Sequence, residues 1–208
     1  MFKKLLALGI VTTMGCTAPQ NKSASLEYLR DSRDFSTVSV YGGAEIAPQA
    51  RFFGNLDLNS PFNKAETADL TRFNGRARLV RPVYGDFGLT AEYKTASDDN
   101  NDIGGVGVSC SPIKGLEFRV YPFRTDKKNQ EACLSFGKVF EAGKFDPYFR
   151  GFFDVGEKDG KDYSLGEVQI GLKAESGWRI AVEIRYSDFD QRSGYHNPGM
   201  AGGLGVDF

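Results

Sequence analysis

The chain has 208 residues, enough for one domain of ordinary size. Its 26 basic and 27 acidic residues balance, so no cationic excess exists to release counterions, which excludes nucleic acid as the main partner. Glycine is abundant at 25 residues and aromatics are frequent, with 17 Phe and 9 Tyr; this favours an all-β chain of short alternating segments over a helical one.

The first residues read MFKKLLALGIVTTMGC. Lys3 and Lys4 precede an apolar run from Leu5 to about Val11, and small or neutral residues follow up to Cys16. That is the pattern of a secretory signal peptide, with an apolar core far shorter than the ~20 residues of a bilayer-spanning helix. Residues 1–15 are therefore assigned to export. The stretch TMGC resembles the lipobox of bacterial lipoproteins, where a small residue precedes a cysteine that is lipidated after cleavage. Gly15 and Cys16 fit, while Thr13 departs from the Leu usual in that family. The resemblance implies an acyl anchor at Cys16; the alternative is an ordinary signal peptide that contains a cysteine. Residues 16–35 are polar without a strong period and read as a periplasmic tether, with one short helix in SASLEYLRDSR capped by Ser23.

From residue 36 the pattern changes. STVSVYGGAEIA and ARFFGNLDL, over 36–58, read as one long bent strand or as two. RFNGRARLV then alternates Phe73, Gly75, Ala77 and Leu79 with Asn74, Arg76 and Arg78. The same period of two runs through DFGLTAEYKT, GGVGVSC, GLEFRVYPF, QEACLSFGKVF, DPYFRGFFDV, GEVQIGLKA and GWRIAVEIRY. It closes the chain in GMAGGLGVDF, where Met200, Gly202, Leu204, Val206 and Phe208 share one face. The count is about ten strands, within a range of about eight to twelve. Short links (RPVYGD, SPIKG, EAGKFD, ESG) take turns with polar, mostly longer ones (ASDDNND, RTDKKNQ, EKDGKDYS, SDFDQRSGYHNPG), so the strands form a meander of hairpins.

Such a meander fits a transmembrane barrel, apolar outside, or a soluble lipid-tethered barrel that carries an apolar ligand inside. Four features favour the membrane form. One strand face is crowded with mid-strand charges: Arg76, Arg78, Lys94, Arg119, Arg150, Lys173, Arg179 and Arg185 against Glu92, Glu117, Glu131, Asp154, Glu167 and Glu183. A lumen holds that mixture by pairing it. Aromatics such as Phe73, Phe87, Tyr93, Phe140, Trp178 and Tyr186 stand near strand ends, where bilayer interfaces place them. Strand lengths approach the ~9–11 residues of a tilted membrane strand. The alternation of short and long links matches periplasmic turns and outer loops.

The terminal LGVDF resembles the carboxy-terminal signature of bacterial outer-membrane β-barrel proteins, a final strand ending in Phe. The resemblance covers residues 36–208 and implies an antiparallel up-and-down transmembrane barrel in a Gram-negative outer membrane, with both termini periplasmic. It also implies recognition by the barrel-insertion machinery and contact with outer-membrane lipid and lipopolysaccharide.

A barrel of this size filled with long charged side chains does not form an open diffusion pore, though a narrow ion path remains open to it. Same-strand pairs such as Glu183 with Arg185 and Glu117 with Arg119 read as lumen ion pairs and not as catalytic acids. His196 is the single histidine and lies near Ser187, Asp190 and Ser193, a set that suggests a Ser–His–acid site. The last hairpin resembles that of outer-membrane lipid A deacylases, including an Asn-Pro-Gly. That family carries a His and then a Ser on the strand itself; here Arg185-Tyr186-Ser187-Asp188 stands there without one. In SDDNNDIGG, Asp98, Asn100 and Asp102 alternate like the start of a calcium loop, but the glycine comes one place late and no bidentate Glu follows. Cys110 and Cys133 are expected on non-adjacent strands, near opposite ends and on opposite faces, and hence unbonded. No catalytic residue, metal ligand or cofactor is assigned. The expected role is structural or surface-interacting, presenting loops 96–102, 124–130, 157–163 and 188–199; a rim-site lipid hydrolase centred on His196 is the alternative.

Overall fold

Strict alternation gives a sheet two unlike faces, and a sheet that closes on itself must choose which of them to turn inward. A computed structural model describes residues 20–32, 35–61, 72–96, 102–125, 130–158, 161–188 and 198–208. They form twelve strands: β1 (Gln20–Asp31), β2 (Phe35–Ala47), β3 (Ala50–Pro61), β4 (Arg72–Tyr84), β5 (Phe87–Ala96), β6 (Ile103–Ile113), β7 (Leu116–Arg124), β8 (Glu131–Val139), β9 (Phe145–Lys158), β10 (Lys161–Ala174), β11 (Trp178–Ser187) and β12 (Gly199–Asp207). Each pairs antiparallel with its neighbours in sequence. β12 pairs with β1 from Ser25↔Asp207 to Asp31↔Ala201, which closes the ring. The N–H of Phe208 donates to Ala24 O at 2.9 Å, so pairing continues to the last residue.

The strands from β4 onward are those the alternation predicts, and two more complete the ring. One is β1, which occupies most of the segment read as a tether and replaces the short helix expected there. Its period is masked because the inward face mixes Glu27, Leu29 and Asp31 while the outward face carries Leu26 and Tyr28. The other arises because residues 36–58 form two strands, β2 and β3. Pro48 and Gln49 separate them, with Gln49 at φ 65, a position where Asn or Gly would have advertised the turn. The signal segment and Cys16 lie outside the described residues.

All charged mid-strand residues named above point inward, and the apolar set points outward: Trp178 is 58% exposed, Ile180 53%, Val182 52% and Phe208 79%. The soluble alternative with an apolar interior is thereby overturned, because a ligand cavity would have to be built from the face that looks out. Exposed aromatics gather in two belts. Tyr84, Phe87, Phe140, Phe145, Trp178 and Phe208 ring one end, and Tyr28, Tyr93, Phe123 and Tyr186 stand toward the other.

While the short β1–β2 connection lies at the other end, the turns β2–β3, β4–β5, β6–β7, β8–β9 and β10–β11 fall at the first of these ends. Gly115 and Gly177 sit there at φ 87, and a Cβ would lie 2.1 Å from Gly137 O and 2.6 Å from Asp207 O respectively, so both turns need glycine. The opposite end carries the longer connections. Loop 157–163 is an exception: β9 and β10 are 14 residues each and leave only residues 159–160 between them, so the expected loop is a tall hairpin. Cys110 and Cys133 are both free. They face opposite sides, as expected, on strands two apart: Cys110 lies three residues from the turn end of β6 and Cys133 two residues from the loop end of β8.

Candidate functional site

The inward charges form a continuous network, best described from the turn end upward. On β7, Arg119 Nη1 donates to Glu117 Oε2 at 2.8 Å and Nη2 to Ser135 Oγ at 2.8 Å. Arg78 Nη2 lies 3.5 Å from the same Glu117 oxygen, and its guanidinium rests 5.0 Å over the Phe53 ring. Glu27 on β1 repeats this arrangement. Arg150 Nη2 donates to its Oε2 at 2.8 Å and Arg179 Nη1 lies 3.2 Å away. Gln169 Nε2 donates to Glu27 Oε1 at 2.9 Å, while Tyr148 OH and Arg150 Nε both donate to Gln169 Oε1. Asp207 takes Lys173 at 2.7 Å and Arg179 Nε at 3.0 Å. In this half every carboxylate serves two cations.

Toward the loop end the ratio reverses. Arg185 donates to Glu167 at 3.1 and 2.8 Å and also meets Glu183 at 3.0 Å. Arg76 donates to Asp154 Oδ2 at 2.8 Å and lies 3.7 Å from Glu92. Lys94 reaches Glu92 at 3.2 Å and ion-pairs with Glu131, which also receives Arg124. Tyr163 OH and Cys133 Sγ complete Glu131 with donations at 3.0 Å each. Asp57 has the side-chain amide of Asn55 at 3.3 Å and stands within electrostatic reach of Arg185, Glu167 and Arg76.

Polar atoms left without an aligned partner divide the same way. In the turn half they are donors: Arg78 Nε, Arg119 Nε and Arg179 Nη2. In the loop half they are acceptors: Asp57 Oδ1 and Asp154 Oδ1. Both sets are buried against the barrel wall, where an unmatched polar group is costly unless something supplies its partner.

Several contacts cross the lumen. Arg76 on β4 and its partner Asp154 on β9 stand five strands apart round the ring. Arg150 on β9 lies 4.9 Å over the ring of Tyr41 on β2, again five strands away. The interior is thus bridged. A cavity of about 10 Å³ bordered by Glu92, Lys94, Tyr121, Arg124 and Glu131 has room for a single water. Glu131, Cys133 and Asp154 bring ligand atoms within 4.8 Å of one another, but Lys94, Arg124 and Arg76 already neutralise the two carboxylates, so the cluster reads as ion-paired.

The predicted same-strand pairs Glu117–Arg119 and Glu183–Arg185 both form. Of the hydrolase set, Ser187 is buried on the lumen face, while Asp190, Ser193 and His196 lie outside the described residues. The neighbouring Asp188 accepts from Ser164 N and Oγ at 2.8 and 2.6 Å, tying β10 to the end of β11. Asp102 accepts from Thr95 Oγ1 at 2.7 Å; Asp98 and Asn100 are outside the described residues. Sequence reasoning missed Glu27, which anchors the turn-half network. The period of two through Ser25, Glu27, Leu29 and Asp31 was the available signal.

No protein-family model matches the chain, and no curated protein matches its sequence. Solved structures do match its fold. The NanC porin superposes with a TM-score of 0.53 at 10% identity over 89% of this chain and 98% of that one. The KdgM porin gives 0.52 at 12% identity over 89% and 99%. A KdgM porin in complex with disordered oligogalacturonate gives 0.50 at 10% identity over 89% and 98%. The chain therefore has the closed antiparallel barrel fold of these porins, over nearly their whole length.

Proposed function

We propose that this chain is an outer-membrane β-barrel of a Gram-negative bacterium whose narrow, charge-lined lumen passes small solutes. The observation that carries the reading is the direction of its two faces: an apolar wall with two aromatic belts outside, and charges of both signs within. A soluble protein has no use for that outer wall. The porin neighbours support a passage on the strength of fold alone. An even number of strands brings Gln20 and Phe208 to the tight-turn end, which in such barrels faces the periplasm. The terminal strand, paired through Phe208, suits recognition by the insertion machinery, and the aromatic belts suit contact with outer-membrane lipid and lipopolysaccharide.

The cross-lumen bridges make the passage selective rather than open. A polyanion such as the oligogalacturonate of the KdgM complex would meet the surplus carboxylates of the loop half first, so this lumen favours small solutes over acidic chains. A second reading, a barrel that only stabilises the membrane or presents loops, is favoured by those same bridges. Two measurements on the refolded protein separate them. Faster migration in SDS before boiling than after is expected from either barrel. Discrete conductance in planar bilayers is expected from the channel alone, and its absence sinks that reading.

Only three residues separate Cys16 from Gln20. An acyl group there would enter the leaflet beside the turn-end belt with almost no tether. Intact-mass measurement of the membrane-extracted protein, with Cys16→Ala as control, is expected to show the lipid; a mass matching simple cleavage refutes it.

A further inference from the structure

We infer that the solute suited to this lumen is a small zwitterion, an amino acid or short peptide with a separate ammonium and carboxylate. The inference rests on the channel reading and names its substrate class.

The first argument is stoichiometric. In the turn half, cations exceed carboxylates: Arg78 and Arg119 share Glu117, and Arg179 is shared between Glu27 and Asp207, each of which holds another cation. In the loop half, carboxylates exceed cations: Glu167 and Glu183 share Arg185, and Asp57 forms no ion pair with a described residue. Among the described residues the lumen is close to neutral in sum and polarised along its axis. The second argument is independent of counting. The unmatched buried atoms are acceptors in the loop half and donors in the turn half. Arg119 and Asp154 are each 1% exposed.

Each class of solute meets this differently. A simple anion is repelled in the loop half and a simple cation in the turn half. A neutral solute that loosens the ion pairs replaces neither partner, leaving buried charges unpaired. A zwitterion carries a charge suited to each half: its ammonium is drawn to the surplus carboxylates of the loop half and its carboxylate to the surplus guanidiniums of the turn half. Its preferred orientation sets the ammonium toward the loops and the carboxylate toward the turns.

The test is osmotic swelling of proteoliposomes that contain the refolded full chain. The solutes are glycylglycine, a zwitterion, and N-acetylglycinamide, a neutral amide of nearly the same size. The inference expects glycylglycine to enter several-fold faster than the amide. Asp57→Asn and Arg78→Gln each remove surplus charge while leaving the Arg119–Glu117 pair intact, and together they should bring the two rates together. Folding of the variants is checked by the SDS mobility shift. Should they fail to fold, block of potassium chloride current by glycylglycine, with no block by the amide, is the wild-type readout that supports the inference. Equal or faster entry of the amide in wild type overturns the inference alone, as does a preference unchanged in the folded double variant. Entry of neither solute, together with absence of conductance, overturns the channel reading and the inference with it.

Discussion

Glu27 is 1% exposed and holds Arg150, Arg179 and Gln169 at once. Glu27→Ala leaves two guanidiniums facing each other without their shared carboxylate, and removing one partner of a buried pair costs about 3–5 kcal/mol. The expected result is a lower temperature for conversion from the fast to the slow SDS band, with Glu27→Gln intermediate because its amide oxygen still accepts from Gln169. The turn glycines make a second prediction. At Gly115, alanine meets both a positive φ and a carbonyl oxygen 2.1 Å from its Cβ, so Gly115→Ala should destabilise by more than ~1 kcal/mol on the same assay. Gly143 also has a positive φ but nothing within 4 Å of a Cβ, so its substitution should cost less. Much of the lumen chemistry was legible at this scale. Glu117–Arg119 and Glu183–Arg185 are same-face neighbours in any strand, whatever the fold, and so could be paired on paper. Glu27 could not, because its partners are 123 and 142 residues away and only closure of the ring brings them together.

At the scale of elements, β1 decides whether there is a barrel. It pairs with β2 on one side and β12 on the other, and without it the two would be free edges with unpaired backbone groups. Deletion of residues 20–31 is therefore expected to abolish the heat-dependent SDS shift; a tether in that position could be removed with the shift intact. The strands from β4 onward were readable because most set β-branched and aromatic residues against charges. β1 was not, because Leu29 faces the lumen among acids. The β2–β3 break was hidden because Gln49 carries a left-handed conformation normally signalled by Gly or Asn. Outward positions on β11 supply a further check. Val182→Arg puts a charge on the face that looks to lipid, at a cost of roughly 2–4 kcal/mol near the bilayer midplane, and should impair insertion. Ala181→Ser, facing the lumen, should not.

At the scale of the whole molecule, alternation determines that there are two faces, and the charges determine which one can be enclosed. The polarisation of that enclosed space along its axis is not legible from the strands singly, since each inward face carries few charges and their heights depend on register round the ring. It has an electrical consequence. A conduit with acidic walls at one mouth and basic walls at the other is a diode. In a lumen that conducts as proposed, cations would be the carriers in the loop half and anions in the turn half. When the loop side is positive, both are driven toward the junction and accumulate there; with the polarity reversed, both are drained from it. Current should be larger with the loop side positive in dilute salt, where the screening length of ~30 Å at 0.01 M exceeds the width of the lumen. It should become symmetric at 1 M, where screening falls to ~3 Å. The barrel would then rectify, with its preferred direction written in its side chains.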